Sequence, residues 1–258
     1  METIETIFLG IVQGLTEFLP VSSSGHLVIF QNLFGMSEPE LLLDISLHLG
    51  TLLAVCLYFR SDLKKMGTDL LRFDFETPHA RLVLWVLVGS IPTGLIGIVF
   101  KTPLEKLFGS LTLVGVMLVA TGFIVGCTRL LQGSYGNRMQ IGLLTALAVG
   151  VAQGLAIMPG ISRSGATIVC ALFCRLDREL AARFSFLLSI PAITGALLLH
   201  LDQSALEKVG FVPLFLGFAA STLVGVFALK FLMGMVKKGH LYYFAPYCWA
   251  LGLVIVLA

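Results

Sequence analysis

The chain has 258 residues, of which 57% are hydrophobic and 12% charged, and its formal net charge is +2. Soluble domains usually carry about 25% charged residues, so a water-soluble domain is excluded and a membrane protein is expected. The small net charge gives no basic footprint for nucleic acid, so no nucleic-acid partner is expected. Residues 1–10 contain two glutamates and no Lys or Arg, so a secretory signal peptide is not expected there.

Apolar segments follow one another along the chain, and two of them are interrupted. The interrupted segments lie near 3–35 and 140–175, and each is broken by a polar cluster with Pro and Gly, at residues 20–26 and 159–165. Non-helical backbone at membrane depth is tolerated only when it is buried in protein or lines a wet cavity. Each segment is therefore predicted to be a re-entrant hairpin of helix, polar turn and helix. Six uninterrupted stretches are long enough to span about 30 Å of hydrocarbon, near 41–59, 82–100, 111–131, 184–201, 211–235 and 241–258.

The two interrupted segments are related by a shift of 140 residues. Seven of the sixteen positions from 10 to 25 are identical after the shift, including a Gln-Gly pair and a Ser-x-Ser-Gly motif. Apolar bias does not explain those polar matches, so we infer an internal repeat, with halves at about 1–132 and 140–258. Each half has a hairpin and three spans, an odd number, so the second half enters the membrane from the opposite side. Inverted repeats of this kind hold their site near the midplane.

Basic residues divide unequally between the two sides that this arrangement creates. Three lie on one side (Lys101, Lys106 and Lys208), Arg163 lies inside, and thirteen lie on the other side. Lys and Arg are enriched in cytoplasmic loops, so the thirteen-residue side is predicted to be cytoplasmic and both termini to face the opposite side. The thirteen comprise those of a predicted loop at 60–81 (Arg60, Lys64, Lys65, Arg72 and Arg81) and Arg129, Arg138, Arg175, Arg178, Arg183, Lys230, Lys237 and Lys238.

The first polar turn offers an acid and a histidine. Glu17 lies in an apolar helix with Gln13 one turn earlier, so both side chains share a face and can point at the turn. An ionisable group at membrane depth indicates function by default, although Glu17 could also solvate a helix end at a wet interface. His26 ends the turn and can pass a proton or attack phosphorus. Asp44 and His48 form a further i, i+4 pair, interpreted as a packing hydrogen bond, with a supporting role near His26 as the sharper alternative.

Arg163 is the strongest single signal in the sequence. It is flanked by Ser162 and Ser164, and Gly165 and Thr167 follow it. Arginine is the preferred bidentate partner of phosphate, and hydroxyls and backbone N–H groups at a helix start add donors for an anion. A guanidinium inside a membrane protein requires an anionic partner, and the candidates are Glu17 and a ligand phosphate. A purely structural Arg163–Glu17 pair that joins the repeats is the plain alternative.

Two motifs identify the sequence with a known family. Residues 13–26 (QGLTEFLPVSSSGH) and 159–167 (PGISRSGAT) resemble the two signature motifs of bacterial undecaprenyl-diphosphate phosphatase, the BacA-type family linked to bacitracin resistance. The resemblance covers essentially the whole chain. It implies interlocked inverted repeats, often as a homodimer, in the bacterial inner membrane, with the active site on the periplasmic face. It also implies hydrolysis of undecaprenyl diphosphate to undecaprenyl phosphate and inorganic phosphate.

The resemblance further implies a divalent cation, magnesium or calcium. The family's (Glu/Gln)-x-x-x-Glu motif falls on Gln13 and Glu17, which are the expected metal ligands, and its Ser and His fall on Ser23 and His26. Many members have Glu where this chain has Gln13, and an amide oxygen binds a cation less strongly than a carboxylate does. Gln13 therefore weakens any arrangement with two carboxylates on the metal.

These residues lead to a hypothesis for phosphoryl transfer, which depends mainly on positioning and charge neutralisation. Arg163 clamps the diphosphate with the neighbouring hydroxyls, and Glu17 with Gln13 holds the cation. His26 or Ser23 attacks the terminal phosphorus, or His26 activates a water, and the sequence does not choose among these. A polyprenyl-phosphate transporter or flippase without hydrolysis is the main alternative, and a structural scaffold is a third. The residues expected to bind substrate are Ser22, Ser162, Ser164, Gly165 and Thr167.

Overall fold

The computed structural model describes residues 3–36, 41–100, 107, 109–131, 138–199 and 210–257. Their regular structure is helical apart from one isolated backbone bridge between Arg138 and Leu176. Short 3₁₀ segments lie at Cys127–Leu131 and Leu241–Phe244. The α-helices are α1 (Thr3–Phe18), α2 (Ser23–Leu33), α3 (Leu41–Tyr58), α4 (Arg60–Leu71), α5 (Pro78–Val99), α6 (Leu111–Gly126), α7 (Leu143–Leu155), α8 (Arg163–Phe173), α9 (Arg178–Leu199), α10 (Phe211–Lys238) and α11 (Ala245–Leu257).

The helices confirm an all-α polytopic membrane protein. Within the described ranges, four segments are long and apolar enough to cross a membrane: Pro78–Val99, Leu111–Leu131, Arg178–Leu197 and Phe211–Lys238. A fifth span is possible in α3 and α4, which bend by 74° at their junction. The predicted span at 241–258 corresponds to a shorter apolar helical segment, Leu241–Leu257.

The predicted loop at 60–81 is wrong in its first half, because α4 occupies Arg60–Leu71. The polar residues of this stretch suggested a loop, but they lie on the exposed side of a helix whose Met66 is buried. A charged amphipathic helix that follows a sharp bend is typical of a segment lying along the membrane surface.

The two interrupted segments form the predicted helix–turn–helix units, and each packs against a distant span. The first helix of the first unit, α1, packs along α10, and the first helix of the second unit, α7, packs along α5. A Cβ atom on Gly10 would collide with the backbone of Gly217, and one on Gly150 would collide with the backbone of Gly89. Small residues permit such close helix contacts within membranes. The inverted orientation of the two halves stays a prediction.

Apolar side chains cover the outside of the helices. On α5, Leu84, Leu87, Ile91, Leu95 and Ile98 are each more than half exposed. Their spacing of three and four residues places them in one stripe along the helix. This stripe suits contact with lipid, whereas the polar turns lie inside the protein.

Many of the basic residues predicted to be cytoplasmic lie close together at one end of the molecule. Arg183 pairs with Asp62 at 3.4 Å, and Arg178 donates to the Lys237 carbonyl at 2.8 Å. The backbones of Arg138 and Arg175 hydrogen bond at 3.2 Å. Lys101, Lys106 and Lys208, the three basic residues of the predicted opposite side, lie outside the described residues.

Candidate active site

The turn of the first hairpin is held by Ser22 in a strained conformation. Ser22 has φ 69° and ψ 96°, a left-handed backbone that residues other than glycine rarely adopt. Its hydroxyl accepts a hydrogen bond from the Gly25 N–H at 3.2 Å and so caps the start of α2. Strain of this kind is commonly stored at functional sites.

The turn of the second hairpin is built in a related way. Ser162 caps α8 by accepting a hydrogen bond from the Gly165 N–H at 3.1 Å, and Gly160 has φ 93°. Thr121 of α6 supports the turn, because its hydroxyl donates to the Gly160 carbonyl at 2.8 Å and accepts from the Ser162 N–H at 3.0 Å. Sequence reasoning missed Thr121, since a threonine in an apolar helix carries no distinguishing signal.

The two turns contact each other. The Ser164 hydroxyl donates to the Leu19 carbonyl at 3.3 Å, and a Cβ atom on Gly25 would lie 3.2 Å from the Cα of Gly160. Each hydroxyl of the Ser-x-Ser motifs also approaches its neighbour, Ser22 with Ser24 and Ser162 with Ser164. The starts of α2 and α8 therefore face one small polar region.

Glu17 is the centre of this region. Its Oε1 pairs with the guanidinium of Arg163, and its Oε2 accepts from Ser23 at 2.5 Å and from the Gln13 amide at 3.1 Å. Ser23 and Arg163 are the first helical residues of α2 and α8 and are equivalent positions of the 140-residue shift. The carboxylate is therefore held by corresponding residues of both hairpins.

Arg163 contacts Glu17 through one of its two terminal guanidinium nitrogens. Its Nη2 reaches Glu17, whereas Nη1 is buried and has no hydrogen-bond partner among the residues that the structure describes. A buried donor without a partner is costly, particularly on a charged group. The free side of the guanidinium is suited to a phosphate oxygen, as the sequence analysis expected.

His26 is fixed on both ring nitrogens. Nδ1 lies 2.7 Å from the Ser22 carbonyl oxygen, and Nε2 lies 2.7 Å from the hydroxyl of Tyr247 in α11. The imidazole is 4% exposed and Tyr247 is 48% exposed. Sequence reasoning missed Tyr247, because tyrosine is common near the ends of membrane helices.

His48 lies beside Glu17. Its Nε2 is 3.7 Å from Glu17 Oε2, and its Nδ1 is 2.7 Å from the Asp44 carbonyl oxygen. The interpretation of Asp44 and His48 as a hydrogen-bonded pair is confirmed, although the Asp44 acceptor is the backbone. The alternative, a supporting role near His26, stays a prediction; the His48 side chain approaches the carboxylate of Glu17.

Thr167 is buried in α8. Its hydroxyl donates to the Arg163 carbonyl at 2.7 Å and lies 2.5 Å from the Ser185 hydroxyl. These contacts position the first turn of α8, so direct contact of Thr167 with substrate stays a prediction.

The oxygen atoms around Glu17 suit a hard divalent cation. Gln13 Oε1 is buried and has no hydrogen-bond partner in the described part of the chain. The Ser23 hydroxyl and the Glu17 carboxylate would be further oxygen ligands for such a cation. No group of three or more His, Cys, Asp or Glu side chains arranged for a metal occurs within the described ranges. A cation here would complete its shell with phosphate oxygens and water, as Mg²⁺ commonly does.

The sequence matches one protein family over nearly its whole length. The family model of the bacitracin resistance protein BacA matches residues 6–254. The undecaprenyl-diphosphatase of Desulfatibacillum aliphaticivorans is 48% identical over 273 residues, with 100% of this chain and 99% of the relative covered. The undecaprenyl-diphosphatases of Halothermothrix orenii and Methanobrevibacter smithii are 45% and 39% identical, each with 100% of this chain and 98% of the relative covered.

Proposed function

This chain belongs to the bacitracin resistance protein BacA family, and we propose that its two polar turns form the active site of an undecaprenyl-diphosphate phosphatase. It hydrolyses undecaprenyl diphosphate to undecaprenyl phosphate and inorganic phosphate, the activity that its full-length relatives are named for. This reaction recycles the lipid carrier of cell-wall synthesis and accounts for bacitracin resistance.

The observation that carries the site is the convergence of Ser23 and Arg163 on Glu17. A carboxylate, a hydroxyl and a guanidinium meet inside an apolar protein, where burying such groups costs free energy. Groups of this kind at membrane depth indicate function. Arg163 binds the diphosphate through Nη1, and Ser162, Ser164 and the Gly165 N–H lie beside it at the start of α8. Phosphoryl transfer requires little more than such positioning and charge neutralisation.

Ser23 is the nucleophile that the geometry supports best. Its hydroxyl donates to Glu17 Oε2 at 2.5 Å, the contact expected between a nucleophile and its base. Ser23 Oγ bonds to the terminal phosphorus, the bond from that phosphorus to the bridging oxygen breaks, and Glu17 takes the hydroxyl proton. Undecaprenyl phosphate leaves. Water then attacks the phosphoserine, and the bond from phosphorus to Ser23 Oγ breaks. Ser23 Oγ regains its proton from Glu17, and His26 Nε2 accepts the water proton and passes it to the departing phosphate.

A divalent cation, Mg²⁺ or Ca²⁺, would be held by Glu17 and the Gln13 Oε1 atom. When bound, it neutralises charge on the diphosphate oxygens. Glu17 is oriented for this purpose by Gln13, Ser23 and Arg163.

A single-turnover experiment tests this assignment. The solubilised protein is mixed with undecaprenyl diphosphate, phosphate release is measured, and samples quenched in denaturant at neutral pH are searched for a phosphorylated residue by mass spectrometry. Ser23→Ala should abolish both signals, whereas Ser24→Ala, whose hydroxyl contacts Ser22, should retain both. Phosphate on His26, or full activity of Ser23→Ala, would contradict the role of Ser23. Lipid translocation without phosphate release would indicate the transporter instead.

The membrane orientation completes the proposal. The chain is a multi-pass membrane protein, and we place it in the inner membrane with its basic end in the cytoplasm and both termini in the periplasm. The grouping of Arg138, Arg175, Arg178, Arg183 and Lys237 at one end supports this orientation. This orientation is tested by introducing a cysteine next to Leu257 and labelling it with a reagent that reaches only one side of the membrane. The homodimer stays a prediction.

A further inference from the structure

The hydrogen bonds of His26 define the state of its ring. A carbonyl oxygen accepts hydrogen bonds and cannot donate them, so the 2.7 Å contact with the Ser22 carbonyl requires a proton on Nδ1. In the neutral ring the lone pair therefore lies on Nε2. Nε2 is the atom that can accept a proton or form a bond to phosphorus.

Tyr247 occupies the reactive side of this ring. Its hydroxyl lies 2.7 Å from Nε2, and because Nε2 is an acceptor, the tyrosine is the donor. The two rings are nearly parallel, with 6° between their planes and 5.7 Å between their centroids. Tyr247 is half exposed, whereas His26 is almost fully buried, so Tyr247 lies between His26 and the surroundings of the protein.

We propose that Tyr247 is a positioning residue for His26, a role that rests on the proposed function of His26 in hydrolysis. Its hydroxyl keeps the ring in the form that carries the proton on Nδ1 and fixes the direction in which Nε2 points. It also covers Nε2 until a water molecule, which can likewise donate to Nε2, takes its place. The displaced hydroxyl remains within hydrogen-bond reach of that water and orients it.

Within the described ranges, the two ring nitrogens of His26 have no hydrogen-bond partner other than Ser22 and Tyr247. Removal of the Tyr247 hydroxyl therefore leaves Nε2 accessible while the aromatic packing is retained. Tyr247→Phe is accordingly a narrow test, and Tyr243→Phe is its matched control. Tyr243 is 57% exposed and its ring contacts are with His240 and Tyr242, not with His26.

Two measurements decide the proposal. In the first, the full-length protein in detergent is treated with diethyl pyrocarbonate, which modifies neutral imidazole nitrogens, and the peptide with His26 is followed by mass spectrometry. Tyr247→Phe should accelerate modification of His26 about fivefold, the factor that loss of one neutral hydrogen bond implies. In the second, Tyr247→Phe should lower kcat about fivefold or more on undecaprenyl diphosphate with KM unchanged. Tyr243→Phe should match the wild type in both.

The proposal is overturned if, in Tyr247→Phe, His26 is modified and undecaprenyl diphosphate is hydrolysed at wild-type rates. Tyr247 would then only pack against the imidazole ring. A fall in kcat without faster modification of His26 would also overturn it, since the effect would not act through Nε2. The modification assay needs no substrate. It therefore reports on Tyr247 even if the wild type releases no phosphate, in which case the proposed function fails separately.

Discussion

The guanidinium of Arg163 pairs with the carboxylate of Glu17, although 146 residues separate them in the chain. The carboxylate belongs to the first hairpin and the guanidinium to the second, so the pair joins the two hairpins. Both side chains are largely buried, with 16% of Arg163 and 6% of Glu17 exposed. The pair should therefore contribute both to the unfolding free energy of the protein and to its activity.

A double-mutant cycle separates these two contributions. Arg163→Ala leaves Glu17 buried and without its counter-charge, and should cost about 3–5 kcal/mol of unfolding free energy. It should also slow phosphate release about 100-fold or more. The double variant Glu17→Gln/Arg163→Ala should recover most of the stability and none of the activity. Unfolding in mixed detergent micelles and phosphate release measure the two effects, and recovery of activity in the double variant would show that the pair is only structural.

The cation site is tested by adding a carboxylate. Gln13→Glu places a second acid beside Glu17, so half-maximal activity should need about tenfold less Mg²⁺. Cation-induced thermal stabilisation should increase as well, which is a readout that does not depend on turnover. Gln153→Glu is the matched control, because Gln153 is the equivalent buried residue of the second hairpin and contacts Thr93 and the Leu188 carbonyl. An equal response of both variants, or of neither, would argue against a cation at Glu17.

Thr121 should contribute to both stability and activity, although its position in an apolar helix gives no sign of this in the sequence. Thr121→Val keeps the shape of the side chain but leaves the Gly160 carbonyl and the Ser162 N–H without their partner. Each buried group left unsatisfied costs about 1–3 kcal/mol, and a loosened turn should also reduce activity through Arg163. Thr128→Val is the control, since the Thr128 hydroxyl donates only to the nearby Val125 carbonyl. Similar stability losses in both variants would remove the special role of Thr121.

The close helix crossing at Gly150 gives a prediction on packing. Gly150→Ala would force a methyl group against the Gly89 backbone and the Pro92 ring, so it should destabilise the protein by about 1–3 kcal/mol. Gly234→Ala in α10, where a methyl group meets no atom of another described segment within 4 Å, should be neutral or slightly stabilising. Unfolding of the two variants under the same conditions checks the contrast. A Gly150→Ala variant as stable as the wild type would mean that α5 and α7 can separate freely.

The helical membrane fold was predictable from the sequence, and so were the charged and titratable residues of the site. Glu17, His26 and Arg163 stand out because charged or titratable groups are rare within long apolar segments. Helix α4 was not predicted, because its charges mark the exposed side of a helix as readily as they mark a loop.

The partners of the site residues could not be read from the sequence. Tyr247 lies 221 residues from His26, and Thr121 lies 41 residues from Ser162. Neither differs in type from the many tyrosines and threonines that membrane helices contain. The placement of His48 beside Glu17 likewise depends on how α3 packs against α1.

The sequence by itself determined that this chain is a membrane protein and that two polar turns interrupt its apolar segments. These features are visible in the sequence because burying a polar group in hydrocarbon costs free energy. Polar groups within apolar segments are therefore rare, and where they occur they indicate function. Only the tertiary structure decided which groups meet, including the pairing of Ser23 and Arg163 on one carboxylate. Such contacts arise from helix packing between distant segments, and helix packing depends on side-chain shape along whole helices, which no local motif records.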